Sequence, residues 1–521
     1  METQSVVIKR LYIIGEYLFN TFKNSTTYKI LIKIAAWFRW IFSSCVLFNV
    51  IKRDGNVDVL WRKSRTYRFF ASILHKIINL LRNIYIKLER FLAYSGIYKF
   101  LVYLADNMYV LLSLSLIIMV ITPHSFWYNI FTSIIAFGLL VLLLIRVASD
   151  KNIKINFNYF NFYLTLFVIT IFFALIFSLS PGLSLRFFVF HLNCLVLVVL
   201  LVNSLNTKER FTTVLESILA GITFVGLYAI LQSIKGVPVN PSQTDLSLNP
   251  GMPGRVYATM ENPNNLGQVL IMILPFYAAA ALSSNSFTKR FIIFAMSLPP
   301  LAALVLTYSR SAWVGFAVAA FVFVLLTNWK IAPLFIFVGL AAIPFLPRTI
   351  YNRIISMWNL RDSSISYRFL IYRTIEPVVE KYWLTGTGLG SDVFMKVVRN
   401  YPLHTGVVPP HTHNLYIQVL IETGIAGLIS FVGFLVNIIK RGIKSIKLQE
   451  DKYIKYSIIA GVSSLAGILT VGLAEYVWYY PRVMVIFWVV IGLLLASLSL
   501  TGKFAAYGMP VYDFKKPENN M

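Results

Sequence analysis

The residues best suited to chemistry lie in the segment His411-Thr412-His413-Asn414-Leu415, which leads directly into an apolar stretch of membrane-crossing length. An imidazole at the start of a membrane helix needs a partner or a task, because polar groups near hydrocarbon are costly. Histidine is also the side chain whose ordinary pKa suits a general base near neutral pH. His413 and His411 are therefore candidate site residues.

Arginines occur in several polar segments between apolar stretches, notably Arg255, Arg310 and Arg368. A guanidinium matches phosphate oxygens bidentately and stays charged at any ordinary pH, so a cluster of them suits phosphate or pyrophosphate. The alternative is a headgroup contact or an anchor at the membrane surface. That alternative is our interpretation for Arg348 and Arg353.

Asn414, Gln418 and Glu422 recur every four positions, so they share one face of the helix that follows His413. Such a polar stripe must face the interior of a helix bundle or a wet cavity. It either supports the site or hydrogen-bonds neighbouring helices to each other.

Two other patterns do not indicate a metal or a nucleotide. His404, His411 and His413 match no known zinc-binding spacing, so we predict no metal and no cofactor. The run Gly386-Thr387-Gly388-Leu389-Gly390 lacks the preceding strand of a phosphate-binding loop and is better interpreted as a turn.

The composition predicts an all-α, polytopic membrane protein. The chain has 58% hydrophobic and 13% charged residues, with a mean hydropathy of +0.71, which a soluble protein of 521 residues could not bury. The net charge of +26 suits cytoplasmic loops and anionic lipid headgroups. No nucleic-acid partner is expected, because no reader motif accompanies the basic residues. Cys45 and Cys194 lie outside the predicted external loops, so we expect no disulfide.

The chain divides into a basic N-terminal region (1–107), a membrane body (108–501) and a tail (502–521). The spacing of basic residues in 1–107 predicts amphipathic helices on the inner leaflet, with 34–51 interfacial as well. The body contains about 12 candidate spans, at 108–122, 126–146, 160–179, 187–203, 213–233, 264–283, 291–307, 312–328, 331–346, 414–438, 456–474 and 483–501.

The distribution of Lys and Arg between these spans predicts the orientation. Basic residues fall in alternate loops if both termini are cytoplasmic. The long segments 234–263 and 347–413 then lie outside, together with the candidate site. Within the second, Ile371 and Ile375 are spaced as on a helix, so we predict a helix over 364–381 that covers the site.

Four segments in this order resemble the O-antigen ligase and polymerase superfamily of bacterial membrane glycosyltransferases. They are Gly254-Arg255 followed by Glu261-Asn262-Pro263-Asn264; Ser309-Arg310-Ser311-Ala312; Tyr367-Arg368 through Trp383 to Gly386-Thr387-Gly388-Leu389-Gly390; and His413-Asn414-Leu415 with Gln418, Glu422, Gly424 and Gly427. The resemblance covers roughly 250–430, and the predicted topology extends it over 108–501.

The resemblance implies a metal-independent transfer of a glycan from undecaprenyl pyrophosphate to an acceptor hydroxyl, at the outer face of the bacterial cytoplasmic membrane. His413 would be the base, and Arg255, Arg310 and Arg368 would bind pyrophosphate. The acceptor could be a lipid core, a growing polymer or a protein. A polysaccharide flippase or transporter is the alternative, although its charges should line a cavity at the membrane midplane.

Overall fold

A computed structural model describes residues 57–501 except 151, 154, 158, 241–250 and 359–362, together with five positions between 21 and 36. The predictions for 502–521 and for Cys45 fall outside the described residues, as does nearly all of 34–51. The chain forms two compact units, Met1–Asp54 with Phe321–Leu346, and Gly55–Ala320 with Pro347–Met521.

The described residues form helices joined by turns and contain no strand, which confirms the all-α prediction. The helices are α1 (Val57–Lys63), α2 (Arg65–Tyr94), α3 (Gly96–Asp106), α4 (Met108–Ile121), α5 (Asn129–Ser149), α6 (Phe162–Ile176), α7 (Pro181–Ser204), α8 (Lys208–Lys235), α9 (Pro263–Ser283), α10 (Phe287–Leu306), α11 (Arg310–Asn328), α12 (Ala332–Ala342), α13 (Arg348–Ile355), α14 (Ser363–Tyr382), α15 (Ser391–Val398), α16 (Leu415–Ile446), α17 (Lys452–Val471) and α18 (Pro481–Ser499).

The predicted count of about 12 spans is not confirmed. Nine helical segments in the described part are long and apolar enough to cross a membrane, with Arg310–Phe345 counted as one of them. A tenth appears if α3 and α4, which meet at an angle of 72°, form one broken span. Helix α6 coincides with the predicted span at 160–179 but has only 15 residues, fewer than the roughly 20 that cross a bilayer upright.

The apolar segment Arg310–Phe345 contains a break. Asn328 has an extended backbone (φ −154°, ψ 93°), so the helix is interrupted there. In the larger unit, Arg353 Nε donates a hydrogen bond to Tyr308 O at 3.3 Å, and Arg310 Nη1 donates one to Ser356 O at 3.2 Å. Arg310 and Arg353 therefore lie close to each other.

Small residues and large aromatic rings form the centre of the larger unit. A Cβ on Gly467 of α17 would lie 2.6 Å from Gly315 O, so only glycine permits this approach of two helices. Helix α18 is buried along almost its whole length, and Trp488 stacks on Phe434 with the ring centroids 6.1 Å apart.

The predicted helix over 364–381 is confirmed as α14. Its residues Ile371, Ile375 and Val378 are buried against α15 and against Ile421 of α16. These apolar contacts explain why α14 is an ordered part of the larger unit. Its position relative to a membrane stays a prediction.

Helix α16 is interrupted at Gly424, which adopts φ 70° and ψ −177°. The released carbonyl groups bond to the glycine-rich segment: Thr387 N donates to Ile421 O (2.7 Å), and Gly388 N to Glu422 O (3.2 Å). On the other side of the break, Ile425 N donates to Trp383 O (2.7 Å). The run 386–390 is therefore a turn that satisfies the broken helix, as the sequence indicated.

Helix α2 has the amphipathic character predicted for the N-terminal region, and it buries none of its residues. Arg82 joins it to the body by donating hydrogen bonds to Val147 O and Ile153 O. Its place on a membrane surface stays a prediction.

Candidate active site

His413 lies directly before α16 and is half-buried, and its imidazole faces a carboxylate. His413 Nδ1 lies 3.2 Å from Glu475 Oε2. Glu475 belongs to the turn between α17 and α18, and its side chain is 9% exposed. Burial alone would raise the pKa of this carboxyl, but the hydrogen bond with His413 and the charge of Arg368 outweigh it and lower the pKa to about 2. Glu475 is therefore ionised beside the histidine.

Arg368 of α14 contacts the same carboxylate from the opposite side. Its Nη2 donates to Glu475 Oε1 at 2.7 Å, and its Nε donates to Ala474 O at 3.0 Å. The predicted pyrophosphate binder thus directs two nitrogen atoms to the turn that carries Glu475. A partly buried, doubly bonded arginine of this kind fixes the position of the carboxylate.

His411 is buried and holds the backbone of His413. Its Nδ1 accepts a hydrogen bond from His413 N at 3.1 Å, and the two imidazole centroids lie 4.2 Å apart. Burial, together with the charge of His413, lowers the pKa of His411 to about 3, so this ring is neutral at ordinary pH. His411 is thus a support for His413.

The two chain segments of this site are tied by their backbones. Leu415 N donates to Gly472 O (2.7 Å), and Asn414 Nδ2 donates to Leu473 O (2.9 Å). Asn414 also caps α16, since its Oδ1 accepts from Tyr416 N and Ile417 N. The start of α16 and the turn that carries Glu475 therefore hold a fixed register.

Gln418 and Glu422 continue the polar stripe into the buried part of α16. Thr412 N donates to Gln418 Oε1 (3.0 Å), Gln418 Nε2 donates to Glu422 Oε1 (2.9 Å), and Tyr476 OH donates to the same oxygen (3.1 Å). The stripe links the helix to the loops on both sides of the His413–Glu475 pair, so its members support the site without facing an open cavity.

A second group, called here the arginine group, consists of Arg255, Arg310 and Arg353. Arg255 Nε donates to Thr307 O (2.7 Å) and its Nη2 to Asn264 Oδ1 (2.6 Å), while Arg310 Nη1 donates to Ser356 O (3.2 Å). Burial, with the nearby charges of Arg353 and Arg310, lowers the pKa of Arg255 to about 9. Close like charges of which two are buried are costly, and an anion placed among them would offset that cost.

The two groups are electrostatically connected, because the charge of Glu475 also acts on Arg255 and raises its pKa against the effect of the other arginines. The arginine group is therefore within electrostatic range of the His413–Glu475 pair, and Arg368 contacts that pair directly at Glu475.

Backbone strain marks the same segments. Among the described residues, the non-glycine positions with positive φ are Ala258 (48°), Tyr308 (49°) and His413 (51°). They occur three residues after Arg255, two residues before Arg310 and at His413 itself. Such strain costs about 1–3 kcal/mol per residue and is concentrated at functional sites.

Two residues of the candidate site were missed by the sequence interpretation. Arg353 was interpreted as a surface anchor, but it is buried beside Arg255 and Arg310. Glu475 was not singled out, although a lone carboxylate in a short loop predicted to be external was a signal that could have identified it.

Part of the candidate site lies within a segment that matches a known family. Residues 291–432 match the O-antigen ligase family. The match confirms the resemblance to the O-antigen ligase and polymerase superfamily. Among curated proteins, none matches the chain. Arg310, Arg353, Arg368 and His413 lie inside the matched region of the O-antigen ligase family, whereas Arg255 and Glu475 lie outside it.

Together with the apolar helices, the O-antigen ligase match indicates a glycosyltransferase-like protein of the bacterial inner membrane. No group of three or more His, Cys, Asp or Glu in the described part of the chain is placed to hold a metal ion.

Proposed function

We propose that this protein transfers a glycan from an undecaprenyl-pyrophosphate carrier to an acceptor hydroxyl at the outer face of the cytoplasmic membrane, without a metal or another cofactor. The observation that carries the proposal is a histidine–carboxylate pair within electrostatic range of three arginines, two of which are buried. The histidine–carboxylate pair can activate a hydroxyl, and the arginines can bind and stabilise a pyrophosphate.

Helix ends add to the positive potential of the arginine group. Helix α11 begins at Arg310 itself, α9 begins one residue after its cap Asn262, and Asn264 of α9 bonds to Arg255. The N-terminus of a helix carries a partial positive charge and directs N–H groups at an anion. The chain thus supplies full and partial positive charges for pyrophosphate.

The chemistry needs one proton transfer and one displacement. His413 takes the proton of the acceptor hydroxyl as the oxygen attacks the anomeric carbon of the donor sugar. The bond between that carbon and the pyrophosphate oxygen breaks, and undecaprenyl pyrophosphate leaves with the electron pair. Arg255, Arg310 and Arg353 neutralise the charge that develops on the leaving group.

The test is transfer by the purified protein in lipid nanodiscs, measured as release of the lipid pyrophosphate and gain of glycan by an acceptor. His413→Ala should lose at least a hundredfold in rate while still binding donor, because general-base catalysis contributes about 10²–10⁴-fold. His413→Gln should be nearly as inactive. His404→Ala, an exposed histidine of the same long loop, is the matched control and should be fully active.

Two further measurements distinguish this proposal from a flippase and from metal-dependent chemistry. A flippase would move the donor across a bilayer without forming product, so translocation by a protein that makes no product would contradict the proposal. Addition of a chelator should leave the transfer rate unchanged, and a chelator-sensitive rate restored by a divalent ion would contradict the metal-independent chemistry.

A further inference from the structure

We infer that Glu475 is the positioning residue that sets the tautomer of His413 and leaves its Nε2 atom unprotonated toward the acceptor. This inference rests on the proposed function for its activity measurements, but its central claim concerns the imidazole alone. Glu475 lies outside the region matched by the O-antigen ligase family.

The contact geometry determines the tautomer. Glu475 Oε2 lies 3.2 Å from His413 Nδ1, and an ionised carboxylate can only accept hydrogen bonds. Nδ1 must therefore carry the proton, so in the neutral ring Nε2 holds the lone pair. A carboxylate that fixes a histidine in this way is the third member of the general pattern of nucleophile, base and orienting group.

The carboxylate is itself held in place. Arg368 Nη2 donates to its other oxygen at 2.7 Å, and the Glu475 backbone N–H donates to Val471 O at 2.9 Å. Arg368 Nε donates to Ala474 O, one residue earlier. Since Glu475 is buried, its charge needs these partners, and their geometry leaves Oε2 directed at the imidazole.

The histidine is restrained from its other side as well. His411 Nδ1 accepts the backbone N–H of His413, and the Tyr367 ring lies 6.4 Å from the His413 ring in an edge-on arrangement. His413 adopts a strained backbone with φ 51°. Strain is retained where neighbouring contacts over-determine a conformation, and here it aims one imidazole at one carboxylate.

The activity test compares three variants of Glu475 in nanodiscs. Glu475→Gln can donate from its amide to Nδ1 and would stabilise the opposite tautomer, with Nε2 protonated. It should lose about 10²–10⁴-fold in kcat, with the KM for donor within about threefold of the wild-type value. Glu475→Ala should be no less active than Gln, and Glu475→Asp should recover part of the rate.

This ranking of the activities of the three variants distinguishes a positioning role of Glu475 from a structural one. If Glu475 only held the fold, the isosteric Gln variant would be clearly more active than Ala, and that result would overturn the inference. In a His413→Ala background, Glu475→Gln should produce no further loss, because the two residues act as a unit. A multiplicative loss in the double variant would also contradict the inference.

A second measurement needs no variant of Glu475 to fold. Protein labelled with ¹⁵N-histidine contains six imidazoles, and the His413 signal is the one lost in His413→Gln. At about pH 8, where an ordinary imidazole is neutral, we expect Nδ1 protonated and Nε2 unprotonated. An Nε2-protonated ring would overturn the inference whether or not the protein transfers glycan. The expected tautomer in a protein without transferase activity would leave Glu475 in its role and refute the proposed function alone.

Discussion

The arginine group allows a sharp prediction at Arg353, which the sequence alone assigned to a membrane-surface role. Arg353 is 7% exposed. After burial, its charge is the largest cause of the lowered pKa of Arg255. We expect Arg353→Met, which keeps much of the side-chain volume and removes the charge, to weaken binding of a pyrophosphate-linked donor.

The size of the effect follows from the contact that is lost. A hydrogen bond to a charged group contributes about 1.5–3 kcal/mol, and a tenfold change in affinity corresponds to about 1.4 kcal/mol. Loss of one such contact to pyrophosphate should therefore raise the Kd of the donor about 10- to 150-fold. Arg353→Lys should recover part of this, since a point charge replaces a planar fork.

Donor binding to protein in nanodiscs gives the Kd directly, and thermal unfolding of the same samples monitors the fold. Arg399→Ala, an exposed arginine of the same long loop, is the control and should bind donor normally. An unchanged Kd in Arg353→Met, with a normal unfolding temperature, would refute a role in anion binding and leave Arg353 as a packing residue.

Three other expectations can be measured on the same protein. The pKa of Glu475 falls from 4.5 to about 2 on folding, so its ionisation contributes stability that is present above about pH 4.5 and is lost as the pH falls toward 2. At about 1.4 kcal/mol per pH unit this amounts to about 3 kcal/mol, and it should disappear from unfolding curves of Glu475→Gln. Gly424→Ala would place a Cβ 2.3 Å from Leu384 O at a φ of 70°, so the yield of folded protein should drop, whereas Gly138→Ala, with nothing within 4 Å, should be tolerated; equal yields would contradict the role of the break. A reporter fused at Val407 should read external and one at Ser445 internal, and an internal reading at Val407 would contradict the external site.

The helical membrane fold was predictable because hydropathy is a strong, local signal. The number of spans was not, because breaks are invisible to an average over a window. The bend at Asn107 between α3 and α4, and the 15-residue length of α6, depend on where each helix ends against its neighbours.

The site was predictable where a residue was anomalous in its own segment. His413 and the arginines of external segments stood out because charge there needs a reason. Glu475 did not stand out, because its importance depends on a contact with a histidine 62 positions away in the sequence. Burial separates Arg353 from an ordinary surface arginine, and no spacing in the sequence reports burial.

The interruption of α16 at Gly424 has a mechanical consequence. The carbonyl groups that the break releases are bonded to residues just after α14, at Thr387 and Gly388, and Trp383 O is bonded to Ile425 N. The segment after α14 is thus bonded to both halves of α16 across the break. A movement of α14 away from α16 would break these three backbone hydrogen bonds. A movement of α14 that kept them would carry the start of α16, and His413 with it.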